Sequence, residues 1–579
     1  MTNKEIAQRF VELADLLEFK DENAFKVRSY RRVARVLEDL SEDVAELAEK
    51  GTLEDLPGVG EATAKKIAEY IETGRIRRLE EAREGVPEGI AEVLSIQGVG
   101  PKKAAMMFKE LGIGSVDELE EAAREHRLRD LPGMGEKTEQ NILRGIRIAR
   151  GGRERMRLDV ALDAAGMVID HLEGKQGLVA RITPAGSLRR RRETIGDVDL
   201  LAVGDDPAAI IDEFTSGPYV ADVLLAGETK ASVIVEDDPH PQVDLRVVDA
   251  DEFGSALQYF TGSQAHNIKL RGLAKKQGMK ISEYGLFKGD ARIASAEEED
   301  IYRALDMALI PPELREDQGE IEAALDGSLP DLVEPDDIRG DFHVHTDWSD
   351  GRNTIEEIAE AARERGLRFV AITDHSRTLT VANGLTVERV REQIEQIERV
   401  NRSLSGLRVL TGSEVDIQSD GSLDMPDDLL AELDVVIAAI HSGFKQPRRQ
   451  ITGRLVAAAE HPHVDIIAHP SGRLIGRRDP YDLDVPELIR ACARTGTALE
   501  INANPERLDL TDGYCRMAKA QGVRLAIGSD AHGVEALRLI DLGVAVARRG
   551  WLEKDDVLNT RPEPPFPLKQ SGGSTKPAI

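Results

Sequence analysis

A chain of 579 residues with a formal net charge of −30 is too long for one hydrophobic core, so at least three domains are expected. No run of 18 apolar residues occurs, and the N-terminal MTNKEIAQRF is charged at once, so neither a membrane helix nor a secretory leader is expected, and a soluble, cytoplasmic protein without membrane partners is predicted. Two cysteines, Cys492 and Cys515, make neither a disulfide framework nor a thiolate metal site and read as ordinary buried thiols. Such an acidic chain can bind nucleic acid only through local basic patches and backbone donors, because affinity for phosphate comes mainly from Lys and Arg. The excess of arginine over lysine among abundant acids fits either a high-salt cytoplasm or the bias of a GC-rich genome.

Residues 1 to about 50 read as helices: Ile6, Phe10, Leu13 and Leu17 recur at helical spacing, and Val33, Val36 and Leu40 repeat the pattern. Three similar segments follow, LPGVG ending at Gly60, IQGVG ending at Gly100 and LPGMG ending at Gly135, each before an apolar-periodic helix. Their first glycines stand at 58, 98 and 133, so the unit recurs every 35 to 40 residues. Glycines at a tight turn let backbone N–H groups approach a phosphate. Each unit resembles the helix-hairpin-helix motif, which grips the DNA backbone without reading sequence; the alternative is plain helix–turn–helix packing. The resemblance implies backbone contacts at Gly58, Gly60, Gly98, Gly100, Gly133 and Gly135 and a monovalent cation at the turns.

A helix near Arg157 to Leu172 leads into AGSLRRRRETIGDVDLLAV, residues 185 to 203. Asp197 and Asp199 alternate along a predicted strand and so share a face. Paired carboxylates repel and call for a cation, and magnesium is usually held by one or two carboxylates plus substrate phosphates. Gly186-Ser187 suits a turn whose backbone meets a phosphate. A third carboxylate is expected from the alternating strand QVDLRVV, at Asp244, and YFTGSQAHNIKLR follows fifteen residues later.

GSLRRRRETIGDVDLL, VDLRVV and YFTGSQAHNIKLR, in this order, resemble the nucleotidyltransferase palm and nucleotide-binding subdomain of family X DNA polymerases, the polymerase beta group. The resemblance implies that Asp197, Asp199 and Asp244 are catalytic and carry two Mg²⁺ or Mn²⁺ ions. Gly186, Ser187 and Arg190 would hold the triphosphate. Tyr259, Phe260 and Gly262 would lie beside the sugar, with Asn267 and Arg271 at the minor groove of the nascent pair. Gln264 and Ile195 depart from the beta-type pattern. Lys66 stands where that group carries a lyase lysine, which forms a Schiff base with an abasic sugar; phosphate binding is the alternative role. Residues 248 to about 315 would be the small mixed subdomain that closes on the nucleotide. The acidic, proline-bearing stretch from Pro311 to Pro335 reads as an exposed linker.

From Asp341 short apolar runs alternate with helical segments, as in a (β/α) barrel, where functional residues gather at strand ends. The predicted strands Arg368–Ile372, Leu407–Leu410, Val435–Ile440, Val464–Ala468 and Leu525–Ile527 lead to His375, Glu414, His441, His469 and the Asp530–His532 pair. His343, His345 and Asp350 precede them, so six of the 12 histidines fall on one expected rim, while His461 and His463 read as surface residues. Imidazoles with carboxylates suit zinc, manganese or iron. HVH, TDHS, GSEVDI, IHSG, IAHP and GSDAH resemble the PHP (polymerase and histidinol phosphatase) domain, a distorted (β/α)7 barrel with two to three metals. That family's ligand sets correspond to His343, His345, Glu414 and Asp530; to Glu414, His441 and His469, with Glu414 bridging; and to Asp350, His375 and His532.

The expected whole is a multidomain α+β and α/β chain. Its divisions are an 8-kDa-like helical domain at 1–85, a fingers-like hairpin domain at 86–150, a palm at 151–247, a base-pair-binding subdomain at 248–316, a linker at 317–338, a PHP domain at 339–571 and a flexible tail at 572–579. The expected function is templated gap filling in DNA repair with 3′-5′ exonuclease or end-processing activity, and the resemblance also implies weak abasic-site lyase or endonuclease action. Partners would be gapped or primed duplex DNA and dNTPs, with the chain a monomer. The alternative is a PHP phosphoesterase with a non-templated or inactive nucleotidyltransferase module. With an exposed linker between them, the two metal sites are expected to assemble independently.

Overall fold

A computed structural model describes residues 3–38, 44–49, 51–56, 59–96, 98–151, 155–236 and 239–566. The chain divides into two compact units, Met1–Glu154 and Arg155–Ile579. The first is all helical. Helices Asn3–Phe19 and Ala24–Glu38 bury Ile6, Phe10, Leu13, Leu17 and Val33 together, as the periodicity predicts. Val36 is half-buried; Leu40 lies outside the described residues. A second core gathers Ile90, Val93, Met107, Leu119 and Ile142.

The hairpin turns confirm why glycine recurs. Gly98 and Gly133 sit at φ +89° and +76°, where a side chain is strained. Gly60 and Gly100 cap helices Glu61–Thr73 and Pro101–Leu111, and a Cβ at Gly60, Gly98, Gly100, Gly133 or Gly135 would meet nothing within 4 Å. The turns are therefore open on the outside, with room for a phosphate against the backbone. Gly58 lies outside the described residues.

The second unit begins with a mixed sheet of strands β1 (Arg181–Pro184), β2 (Val198–Val203), β3 (Val220–Ala226), β4 (Lys230–Val235) and β5 (Gln242–Val247), in spatial order β1-β2-β5-β4-β3. Helix Leu158–Glu173 packs on it through Leu158, Ala161, Ala165, Val168 and Leu172. Helices Phe253–Thr261 and Gln264–Lys276 and a three-stranded antiparallel sheet follow.

Strands β6 (Gly340–Val344), β7 (Phe369–Ile372), β8 (Arg408–Asp416), β9 (Val435–Ala439), β10 (Ile466–Ile467), β11 (Ala498–Asn502) and β12 (Leu525–Gly528) form one parallel sheet in sequence order. A Val344–Ala531 bridge brings the last strand back to the first, so the barrel is nearly closed. Strand β11 was not among the predicted strands, and β8 runs through Glu414 rather than ending before it.

One expectation fails. The stretch read as an exposed linker contains helix Glu320–Asp326, and Glu320, Ile321, Ala324, Leu332 and Val333 are buried. Some of its acids are paired: Glu320 accepts from His266 at 2.7 Å, and Glu313 and Glu334 meet Arg548 at 2.8 and 2.6 Å, while Asp317, Asp326, Asp331 and Asp336 stay exposed. Palm and barrel also share one core. Leu200, Val243 and Leu245 of the sheet belong to the same continuous apolar cluster as Val344, Ile372 and Ile501 of the barrel.

Candidate active sites

The palm site forms where β2 and β5 run parallel, which sets Asp199 opposite Asp244, with Asp197 one residue before β2. One carboxylate oxygen from each of the three lies within 4.8 Å of the others. Burial, then the charges of Asp197 and Asp244, pushes Asp199 up to about 7. Burial and Asp244 likewise raise Asp197. Three carboxylates facing one another form a donor set suited to a hard divalent cation. Lys230 Nζ stands 3.3 Å from Asp244, and Gln242 donates to it at 2.9 Å. Gly186 has φ +56°, and a Cβ there would collide with the Asp199 carboxylate, so this glycine is required by the site.

The arginine run divides its work. Arg189 makes a paired contact to Glu298 at 2.9 and 2.8 Å. Arg190 donates from Nε to Glu316 at 3.0 Å and from Nη1 to the Thr261 carbonyl. Phe260 lines the same small cavity as Asp199, Lys230 and Asp244, under Arg246 at 4.7 Å, and Tyr259 meets Phe260 edge-on at 5.2 Å. Asn267 is engaged within its own subdomain, donating to the Tyr259 carbonyl and accepting from Gln258, both at 2.8 Å. Arg271 is exposed on its helix. Gly262 lies beside Arg190 at φ +70°. In the helical unit, Lys66 donates to the Ala62 carbonyl at 2.9 Å, and burial lowers its pKa.

In the barrel all nine predicted residues converge. Glu414 divides its oxygens: Oε2 lies 2.8 Å from His375, 3.4 Å from His343 and 3.7 Å from His345, while Oε1 lies 2.8 Å from His469 and 3.2 Å from His441. Asp530 approaches His345 at 3.3 Å, and Asp350 approaches His532 at 3.5 Å and His375 at 3.7 Å. Three compact donor groups result: His343, His345 and Asp530; His375, Glu414 and His441; and His345, Asp350, His375 and His532. They share members, so His345 and His375 bridge groups that the expected sets kept apart. His343 Nε2, both nitrogens of His345, His375 Nδ1 and His441 Nδ1 are buried without a hydrogen-bond partner. Burial drives His345 down to about 3 and His469 down to about 4, so both imidazoles are neutral, with His469 Nε2 on Glu414 at 2.8 Å, whereas the surrounding carboxylates outweigh burial and raise His343, His441 and His532. Orphaned imidazole nitrogens around buried carboxylates fit divalent transition metals.

Sequence reading missed the groups that orient these donors. Glu500 accepts from His343 Nδ1 at 2.6 Å and from the His469 backbone at 2.5 Å. Asp416 faces His441 Nδ1 at 3.3 Å, and Arg507 lies 3.4 Å from Asp530. Asp374 accepts from Thr346, Ser349 and Gln393 beneath the His345 turn. Such partners fix ring orientation and ligand basicity. A signal for Glu500 was present: it is a lone acid inside the apolar run Ala498–Ile501. His469 and Asp530 also hold positive φ, 27° and 53°, strain of the kind that collects at functional sites.

Four family models match the chain: a helix-hairpin-helix domain at 1–76, a SAM-like helix-hairpin-helix tandem at 90–147, a DNA polymerase beta thumb at 256–316 and a PHP domain at 341–504. A protein of Bacillus subtilis (strain 168) named DNA polymerase/3'-5' exonuclease PolX is 42% identical over 97% of this chain and 98% of its own length. Probable phosphatases of Thermoanaerobacter sp. (strain X514) and Syntrophotalea carbinolica are 30% and 34% identical, each over 38% of this chain and 89% and 90% of their own lengths.

Proposed function

This chain belongs to the family X DNA polymerases that carry a PHP domain, and on that premise we propose that it fills short gaps in DNA under template direction and removes nucleotides from 3′ ends. The observation that supports the polymerase reading is the convergence of Asp197, Asp199 and Asp244 beside Gly186, whose absent side chain opens the approach to them. The primer 3′-oxygen attacks the α-phosphorus of a dNTP, and pyrophosphate leaves. Magnesium or manganese held by the three aspartates would acidify the primer hydroxyl and neutralise the triphosphate. Ser187 and Arg190 hold the β- and γ-phosphates, and Phe260 with the neighbouring backbone excludes a ribose 2′-hydroxyl. The hairpin glycines hold the duplex backbone, with a monovalent cation at the turns, and Lys66 stands ready for an abasic sugar. We assign the domain boundaries as the sequence predicts, but with 317–338 folded onto the small subdomain and the barrel, and place the monomeric chain in the cytoplasm.

In the barrel, manganese, zinc or iron held by the histidines, Asp350, Glu414 and Asp530 would supply hydroxide and clamp the scissile phosphate. Glu500 keeps His343 turned toward the centre, Asp416 holds the His441 backbone N–H, and Arg507 offers a cation where the phosphate charge builds up. A labelled gapped duplex given each dNTP in turn tests the first activity: extension is expected only with the dNTP complementary to the gap. The same duplex without dNTP, with Mn²⁺, should shorten from the 3′ end. Untemplated addition of every dNTP would replace this reading by that of a barrel phosphoesterase with a non-templated partner.

A further inference from the structure

The arginine segment of the palm lies against the barrel and is held from the barrel side. Arg549, the last residue of helix Ile540–Arg549, sends Nη1 to the backbone carbonyl of Arg190 at 2.9 Å and to Glu316 Oε1 at 3.3 Å. Its Nη2 is anchored on Asp512 at 2.5 Å. Glu316 Oε1 receives Arg190 Nε as well, at 3.0 Å, and Arg192 Nη1 stands 3.8 Å away. Glu316 is thus shared between an arginine of the palm and one of the barrel. Both arginines are largely buried, so these charge-assisted bonds are held in a poorly screened setting.

Sharing matters because a carboxylate alone with a guanidinium takes it in a two-pronged fork. Here Arg190 gives Glu316 only Nε, its Nη1 is engaged by the Thr261 carbonyl, and among the described residues its Nη2 has no hydrogen-bond partner. Arg549 pulls on Oε1, the same oxygen that takes Arg190 Nε; without it the Glu316 carboxylate is free to turn and close on Nε and Nη2 of Arg190 together, and the Arg190 carbonyl loses a charged donor. We propose that Arg549 is a positioning residue for nucleotide addition: from the barrel it keeps Arg190 in a pose that leaves Nη2 available to a triphosphate, so the barrel sets the palm's affinity for dNTP. This rests on the reading of Arg190 as a triphosphate contact.

The test is steady-state gap filling by the full chain, compared across Arg549→Met, Arg549→Lys, Arg190→Ala and the double variant Arg190→Ala/Arg549→Met. Arg549→Met is expected to raise the KM for dNTP about 5- to 20-fold with kcat and 3′-end degradation within about twofold, and Arg549→Lys to recover part of the loss. The double variant should match Arg190→Ala alone, because Arg549 acts only through Arg190. An additive double variant, an unchanged KM in Arg549→Met, or a joint fall of filling and degradation with a lower melting temperature overturns the proposal. If Arg190→Ala raises the KM and Arg549→Met does not, the proposal alone fails. If neither moves it, the assignment of Arg190 fails first and takes the proposal with it.

Discussion

Asp199 carries the sharpest conflict of any palm residue. Burial and two neighbouring carboxylates lift it from 3.8 to about 7. Between those values the metal-free folded chain binds more protons than the unfolded chain, so this group's contribution to stability is fully present below pH 3.8 and is lost as pH rises through about 7. A divalent cation reverses the penalty by taking the proton's place. The rise in melting temperature given by Mg²⁺ should therefore be small at pH 5 and larger at pH 8, and Asp199→Asn should abolish it together with nucleotide addition. Duplex binding should stay within a few-fold of the parent, since the proposed function assigns it to the hairpins. A magnesium increment that ignores pH between 5 and 8 would contradict the shift. At this scale the sequence was informative wherever a residue type is scarce: histidines beyond strands, paired aspartates, glycines in a repeat. It was mute where the function of a residue depends on what folds against it. Nothing in four consecutive arginines shows that Arg189 goes to Glu298 and Arg190 to Glu316. Nothing in the spacing shows that His345 and His375 each belong to two donor groups.

Among elements, the small subdomain shows how acids deceive a linear reading. Glu298 is buried between Arg315 at 2.5 Å and Arg189 at 2.8 Å. Burial opposes its charge, but the two guanidinium groups override it and hold the carboxyl down at about 2. Its stabilisation is fully present above pH 4.5 and is lost as pH falls through about 2. Glu298→Gln leaves two arginines without their counter-ion and should cost roughly 3 kcal/mol in urea unfolding near neutral pH. A cost below about 1 kcal/mol would mean that solvent already screens the pair. Glu313, Glu316 and Glu320 looked solvated for the same reason: charge composition is visible in a sequence, but the partners that cover it are not. The hairpins were more legible, because their chemistry is backbone conformation. Gly98 at φ +89° admits no β-branched side chain without strain. Gly98→Val should weaken binding to all duplexes alike, measured by fluorescence anisotropy on unrelated sequences, and a changed sequence preference would refute the backbone reading.

Over the whole molecule, an apparent linker suggested two machines on one string, whereas residues 155–579 fold as one compact unit. The apolar cluster runs from palm to barrel, and ion pairs cross between them: Arg473 to Glu193 at 2.7 Å and Arg157 to Glu506 at 3.2 Å. Arg473 also donates to the Arg507 and Leu508 carbonyls, so the palm loop grips the segment beside Asp530. Point changes and truncation should consequently give different results. Glu414→Ala removes a carboxylate that five histidines share, but it leaves every contact of the palm intact. It should abolish 3′-end degradation with gap filling within a few-fold of the parent, and Asp197→Ala should do the reverse. Deleting residues 339–579, in contrast, removes Arg473, Arg549 and the apolar partners of the palm sheet together. That fragment should melt below the full chain and fill gaps with a raised dNTP KM, although its own three aspartates are untouched. If the fragment filled gaps with the parent's KM and melted no earlier, the shared core would be mere contact, and the chemistry of the palm would be as independent of the barrel as the sequence alone implies.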